Sequence, residues 1–165
     1  MRRLIWPVLF LFLFIIQGST GVFYSGWLSA DLPLVGVYAY SIMRGPQFGA
    51  MTGAIVGFFG DAMLPGVFGY HILTRAITGY GTGHLKGKIF KDNFIYHLPT
   101  IFVISLLLRF IYFFIALAIE TPVSSLGVYV IESLGFACGN MLFVIPIIRL
   151  VNYVYEWIKQ EDTSY

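Results

Sequence analysis

Apolar residues fill long stretches of this chain, and short clusters of turn and charged residues separate them. The pattern predicts six membrane spans, at Leu4–Gln17, Leu28–Met43, Phe48–Leu64, Val67–Leu85, Ile95–Ile119 and Gly127–Ile148. A bilayer core takes roughly 20 helical residues. The first three stretches fall short of that, so they extend into the flanking loops or meet a locally thinner bilayer. The expected fold class is all-α: a polytopic integral membrane protein with six transmembrane helices in one transmembrane domain, residues 1–165.

Glycine recurs at every fourth residue through the third stretch, at Gly45, Gly49, Gly53 and Gly57, and the next step is Asp61. Bare backbone along one stripe lets a neighbouring helix approach closely where lipid gives no hydrophobic drive for association. The i+4 steps from Gly49 to Asp61 drift by roughly 120° around a helix of 3.6 residues per turn. Such a wrapping stripe suits a helix packed against several neighbours in one bundle better than a flat homodimer face. The fourth span carries a second stripe, Gly79, Gly83 and Gly87, beside a polar stripe of His71, Thr74, Arg75, Thr78 and Thr82. Gly49, Gly53, Gly57, Gly79 and Gly83 are the expected helix-packing face.

Hydrocarbon penalises a charge that is neither paired nor wetted. Four charged residues inside the spans balance, Asp61 and Glu132 against Arg75 and Arg109. The tight Pro65-Gly66 turn makes spans three and four antiparallel neighbours. Asp61 then lies roughly 5 Å below the outer end of its span and Arg75 roughly 12–15 Å below the start of its own. Arg75 is therefore expected to snorkel up to Asp61, with His71 alongside. Arg109 and Glu132 repeat that logic across the loop joining spans five and six. Asp61, His71, Arg75, Arg109 and Glu132 are accordingly a candidate intramembrane polar network. It reads either as a buried hydrogen-bond network that orients helices or as a polar cavity or surface for another membrane protein. Asn140 is expected to make a helix–helix hydrogen bond.

Arg2, Arg3, Arg44, Lys86, Lys88, Lys91, Arg149 and Lys159 all fall on one side of six alternating spans. By the positive-inside rule both termini are expected in the cytoplasm. Trp6, Trp27, Tyr153, Tyr155 and Trp157 fit interfacial anchors. In a rival reading Met1-Arg2-Arg3, the apolar run and Gly18-Ser19-Thr20 form a cleaved signal peptide. The small-residue pattern before that cleavage point is poor, and cleavage would leave five spans.

Composition narrows the classes further. Hydrophobic residues make up 58% and charged residues 11%, with a mean hydropathy of +0.82, whereas soluble domains average about 25% charged. A net charge of +2 gives no reason to expect a nucleic-acid partner; membrane lipid is the expected surrounding. Cys138 has no second cysteine to pair with and reads as a small buried hydrophobe. His71, His84 and His97 are scattered without thiol or carboxylate companions at metal-ligand spacing, so neither metal nor cofactor is expected. No GxSxG, HExxH or phosphate-loop motif is present, and no enzyme is expected.

Taken in order, Ala30-Asp31-Leu32-Pro33-Leu34-Val35-Gly36-Val37-Tyr38, Arg44-Gly45-Pro46, the glycine-rich run from Gly49 to Asp61, and Gly69-Tyr70-His71 form a pattern. Through them the segment Ala30 to Leu85 resembles the bacterial rod shape-determining MreD family. The resemblance implies a non-enzymatic component of the bacterial inner membrane within the machinery that elongates the peptidoglycan wall, a scaffold for cell shape. It also implies partners: the bitopic scaffold MreC, and through it the actin-like MreB, the wall synthase RodA and its penicillin-binding partner. The family's architecture is similar to that of substrate-binding subunits of energy-coupling-factor vitamin transporters. That kinship supplies the alternative function, a small-molecule carrier in which His71, Arg75 and Arg109 line an outward-opening cavity.

Overall fold

The computed structural model describes residues 4–19, 28–63, 67–87, 94–120 and 124–162, and all regular structure among them is helical. Six α-helices follow in order: α1 Ile5–Ser19, α2 Leu32–Arg44, α3 Pro46–Met63, α4 Tyr70–Gly83, α5 His97–Ala118 and α6 Leu126–Asp162. A single 3-10 turn, Phe94–Tyr96, leads into α5. Two of the six, α5 and α6, are long and apolar enough to span a membrane, with mean hydropathies of 2.5 and 1.9. Arg2, Arg3, Trp27, the Pro65-Gly66 turn, Lys88 and Lys91, which carry part of the orientation argument, lie outside the described residues.

Helix α2 stands at the centre of the bundle. Every residue from Leu32 to Met43 is buried, because α1, α3, α4 and α6 all pack on it. A helix that is apolar all round has no face to offer water. Val35, Val37 and Tyr38 are wholly enclosed, among Leu9, Phe10 and Leu13 of α1 and Val144, Ile147, Ile148 and Val151 of α6. On the outside the usual order is inverted: Leu11, Ile55, Ile77, Phe110 and Leu142 are exposed, while Arg75, Thr78, Ser105 and Asn140 are buried.

The junctions follow from local chemistry. Gly45 between α2 and α3 has φ +100, a conformation that side chains with a Cβ rarely adopt. Pro46 then opens α3, where its missing N–H leaves nothing unpaired. This turn docks on α4: a Cβ on Gly83 would meet the backbone of Pro46 and Gly45, and Lys86 Nζ donates to the Arg44 carbonyl at 3.3 Å.

The glycine ladder packs chiefly against α4. Gly57 faces the backbone of His71 and Ile72, Gly53 that of Arg75, and Gly49 that of Gly79, which faces Gly49 in return. The partners His71, Arg75, Gly79 and Gly83 are themselves an i+4 series. Two i+4 ridges packed together are inclined to their helix axes in the same sense, so the crossing of the helices absorbs the drift. Gly49 also touches α2, at Ser41 Cβ, so the stripe meets a second neighbour at that end.

Two further expectations are corrected. The last helix does not end at Ile148 but continues unbroken to Asp162, through Pro146 and past Arg149. Its final turns carry Tyr153, Tyr155 and Trp157, which the sequence had suggested for an interfacial segment after the span. Cys138 is exposed rather than buried. It lies on the outward side of α6, between the buried Ala137 and Gly139, because that helix turns only one side towards α2 and α5.

Candidate functional site

A polar hub joins all six helices. It starts from the N-terminus of α2, where the first amides of any helix lack intrahelical acceptors. Gln17 of α1 supplies an acceptor for Leu32 N at 2.9 Å, Pro33 has no N–H to satisfy, and the Asp31 carboxylate accepts from Leu34 N at 2.9 Å. The Asp31 amide donates to Asn140 Oδ1 of α6 at 2.8 Å. Asn140 Nδ2 donates in turn to Ser105 Oγ of α5 at 2.8 Å, and Ser105 Oγ to the Ile101 carbonyl at 2.7 Å. The amides of this N-cap find acceptors although Asp31, Gln17 and Asn140 are all buried.

Arg75 of α4 completes the hub and is 0% exposed. Its Nη2 donates to both Asp31 carboxylate oxygens at 2.9 Å, and its Nη1 donates to the Val56 carbonyl of α3 at 3.0 Å. That carbonyl is reachable because Gly60, one turn later, has no side chain: a Cβ there would collide with Arg75 Nη1. The ring of Phe14 lies 5.5 Å from the guanidinium carbon. Charge-assisted hydrogen bonds of this kind are about twice as strong as neutral ones. Removing either partner would strand the other in a low-dielectric interior.

Asp61 does not meet Arg75. Its carboxylate instead accepts three backbone amides at the start of α4: Gly69 N at 3.0 Å, His71 N at 2.9 Å and Ile72 N at 3.1 Å. Those amides are the unpaired donors of the helix terminus, and the partial positive charge there favours an anion. They lie at the depth of Asp61, whereas Arg75 is further along α4 and turns towards Asp31 at the start of α2. The acid therefore anchors the hairpin through the backbone of His71, not through an ion pair. The His71 ring packs edge-on against Tyr70 at 5.2 Å.

A separate polar pair bridges α5 and α6. Arg109 Nη2 donates to Glu132 Oε2 at 3.3 Å and Arg109 Nε to Ser133 Oγ at 3.2 Å. The guanidinium carbon lies 4.6 Å from the Tyr129 ring centre and 5.9 Å from that of Phe136. The five candidate residues are thus in three places: Asp61 with the backbone of His71, Arg75 with Asp31, and Arg109 with Glu132. They do not form one network.

Two smaller ties close the bundle at its ends. Tyr38 Oη and His97 Nδ1 are 3.0 Å apart between α2 and α5, and Tyr70 Oη donates to the Leu108 carbonyl at 2.8 Å between α4 and α5. Beside His97 a cavity of about 40 Å³ is bordered by Ala39, Ile42, Met43, Ile148, Arg149 and Asn152. That is room for water rather than for a vitamin-sized molecule.

A family model described as rod shape-determining protein MreD matches residues 1–154 of the 165. The chain belongs to the MreD family. No curated protein and no solved structure matches it. Family membership fits a role in rod shape determination, and together with the two spanning helices it marks a membrane protein.

In this MreD-family chain, Asp31, Gln17, Gly60 and Ser105 are the hub residues that the balance of charges overlooked. Asp31 was legible from another signal. An acid two residues before a proline, at the start of an apolar run, has the form of a helix N-cap, and a buried carboxylate whose cap bond is to one amide leaves room for a cation beside it.

Proposed function

We propose that the protein is a non-enzymatic scaffold of the bacterial inner membrane. It would cross the bilayer six times with both termini in the cytoplasm and contribute to rod shape by holding partner proteins through intramembrane contacts. The partners that family membership suggests are MreC and, through it, MreB, RodA and the penicillin-binding partner of RodA.

The observation that carries this reading is the Asp31–Arg75 hub. Its charged groups are spent on one another, on the start of α2 and on the Val56 carbonyl within α3, while Gln17, Asn140 and Ser105 tie in the other three helices. The hub thus fixes the arrangement of the bundle, and its charges present no reactive group to a substrate. The carrier alternative has less support, because Arg75 is enclosed while Arg109 belongs to a different pair.

The test is co-purification with MreC, together with cell shape, for Gly53→Leu and Asp61→Ala. Gly53→Leu drives a side chain into the Arg75 backbone, and Asp61→Ala releases the start of α4. Both are expected to lower the yield of complex and to round the cells. Unaltered yield and shape in both variants would remove the ladder and its acid from the mechanism. Specific thermal stabilisation by a vitamin would favour the carrier instead.

A further inference from the structure

Glu132 differs from the other acids of the bundle in what covers it. The Asp31 carboxylate meets Arg75 and the amide of Leu34, and Asp61 meets three amides. The Glu132 side chain is 45% exposed, against 25% for Arg109 and 1% for Arg75. Among the described residues it meets Arg109 through Oε2, and no partner covers Oε1. Arg109 is better enclosed, since Ser133, Tyr129 and Phe136 share it.

Depth makes this costly. Glu132 stands six residues into α6, roughly 9 Å along the axis, and Arg109 nine residues before the end of α5, roughly 13 Å. With α5 and α6 spanning a hydrocarbon layer about 30 Å thick, both groups lie below its rim. A carboxylate oxygen facing lipid there lacks the hydrogen bonds water would supply. Arg109 holds the side chain at this level, which keeps it from reaching the interface.

We propose that the open side of Glu132 is a docking site for a transmembrane helix of another protein, one that presents a hydrogen-bond-donating side chain at this depth. The inference rests on the scaffold reading and deepens it by naming the face. A helix is the suitable occupant because its own backbone groups are satisfied inside a bilayer. Val128 and Ile131, exposed on the same open side of α6, supply its apolar contact. A two-fold pairing of this face with itself would bring a second carboxylate to the same depth, so the occupant is a different chain.

The experiment places a photoreactive side chain at Ile131 of the full-length protein in growing cells, with another at Met51 on the exposed side of α3. The expected result is an adduct at Ile131 whose cross-linked peptide, read by mass spectrometry, is an apolar spanning segment with a donor side chain beside the link. Its yield should fall roughly three- to twentyfold in Glu132→Leu, the range that bilayer interhelical hydrogen bonds carry, and stay near the original in Glu132→Gln, which keeps an acceptor oxygen. Thermal unfolding in detergent shows whether each variant is folded. Val128→Trp, which obstructs the face and leaves the ion pair intact, should lower the yield as well and serves if Glu132→Leu does not fold. Adducts at Ile131 with lipid alone or with a second copy of this chain, or a yield that neither Glu132→Leu nor Val128→Trp reduces, would overturn the proposal. Protein adducts at Met51 with none at Ile131 would overturn it while leaving the scaffold reading intact; adducts at neither position would count against both.

Discussion

Arg75 Nη2 and the Asp31 carboxylate lie 2.9 Å apart across 44 positions of sequence, and both residues are buried. A buried pair of this kind is destabilising to break by about 3–5 kcal/mol, because the survivor is left charged and uncompensated. Arg75→Met is expected to cost that much in unfolding measured in detergent. Asp31→Asn keeps an N-cap acceptor for Leu34 N but leaves Arg75 unmatched. The double variant Asp31→Asn/Arg75→Met should be more stable than either single one, and additive losses would show that the pair is not coupled.

Asp61 gives a more local prediction. In Asp61→Ala the amides of Gly69, His71 and Ile72 lose their acceptor, and hydrogen exchange at the start of α4 should accelerate while exchange in α2 stays slow. The cost is expected near 2 kcal/mol, in the range for donors left unpaired in a partly buried site. Asp61→Asn should lie between the two, since it retains one acceptor oxygen.

Glycines of the same helix pair should respond with opposite signs. A Cβ on Gly53 meets the Arg75 carbonyl, whereas one on Gly81 meets nothing within 4 Å. Gly53→Ala is therefore expected to destabilise by about 1–3 kcal/mol through overpacking. Gly81→Ala should stabilise by up to about 1 kcal/mol from helix propensity. Thermal unfolding of the two purified variants decides it.

Cys138 offers a probe of membrane placement. It is exposed on the outward side of α6, twelve residues or roughly 18 Å from the start of that helix. In intact membranes a water-soluble maleimide should leave it unlabelled, because a polar reagent does not partition into the hydrocarbon layer. Denaturation in detergent should make it reactive. Rapid labelling in intact membranes would place this stretch of α6 in water.

The apolar runs made the helices legible, since a backbone buried among apolar side chains has to satisfy its hydrogen bonds internally. The boundaries of α3 and α5 lie within two residues of those expected, whereas α6 overran its apolar limit by nearly four turns at about 3.6 residues each. Helix formation there no longer depends on hydropathy: residues 149–162 contain neither glycine nor proline to end it. The site was less legible. Counting charges by span linked Asp61 with Arg75 because the turn between α3 and α4 makes them neighbours, but three amides at closer range claimed Asp61 first.

The sequence alone determined the all-helical class, the glycine stripes and the presence of charges that lipid would force into partnership. Composition and spacing suffice for these, because they depend on transfer out of water and on backbone geometry within one helix. Only the tertiary structure decided which charges meet. It also decided that α2 is the enclosed centre and that Gly60 opens the Val56 carbonyl to Arg75. Pairing depends on the rotation of each helix about its axis, and hydropathy leaves that angle undetermined. Close packing of α3 on α4 sets the angle for Arg75, turning it away from Asp61 and into contact with Asp31.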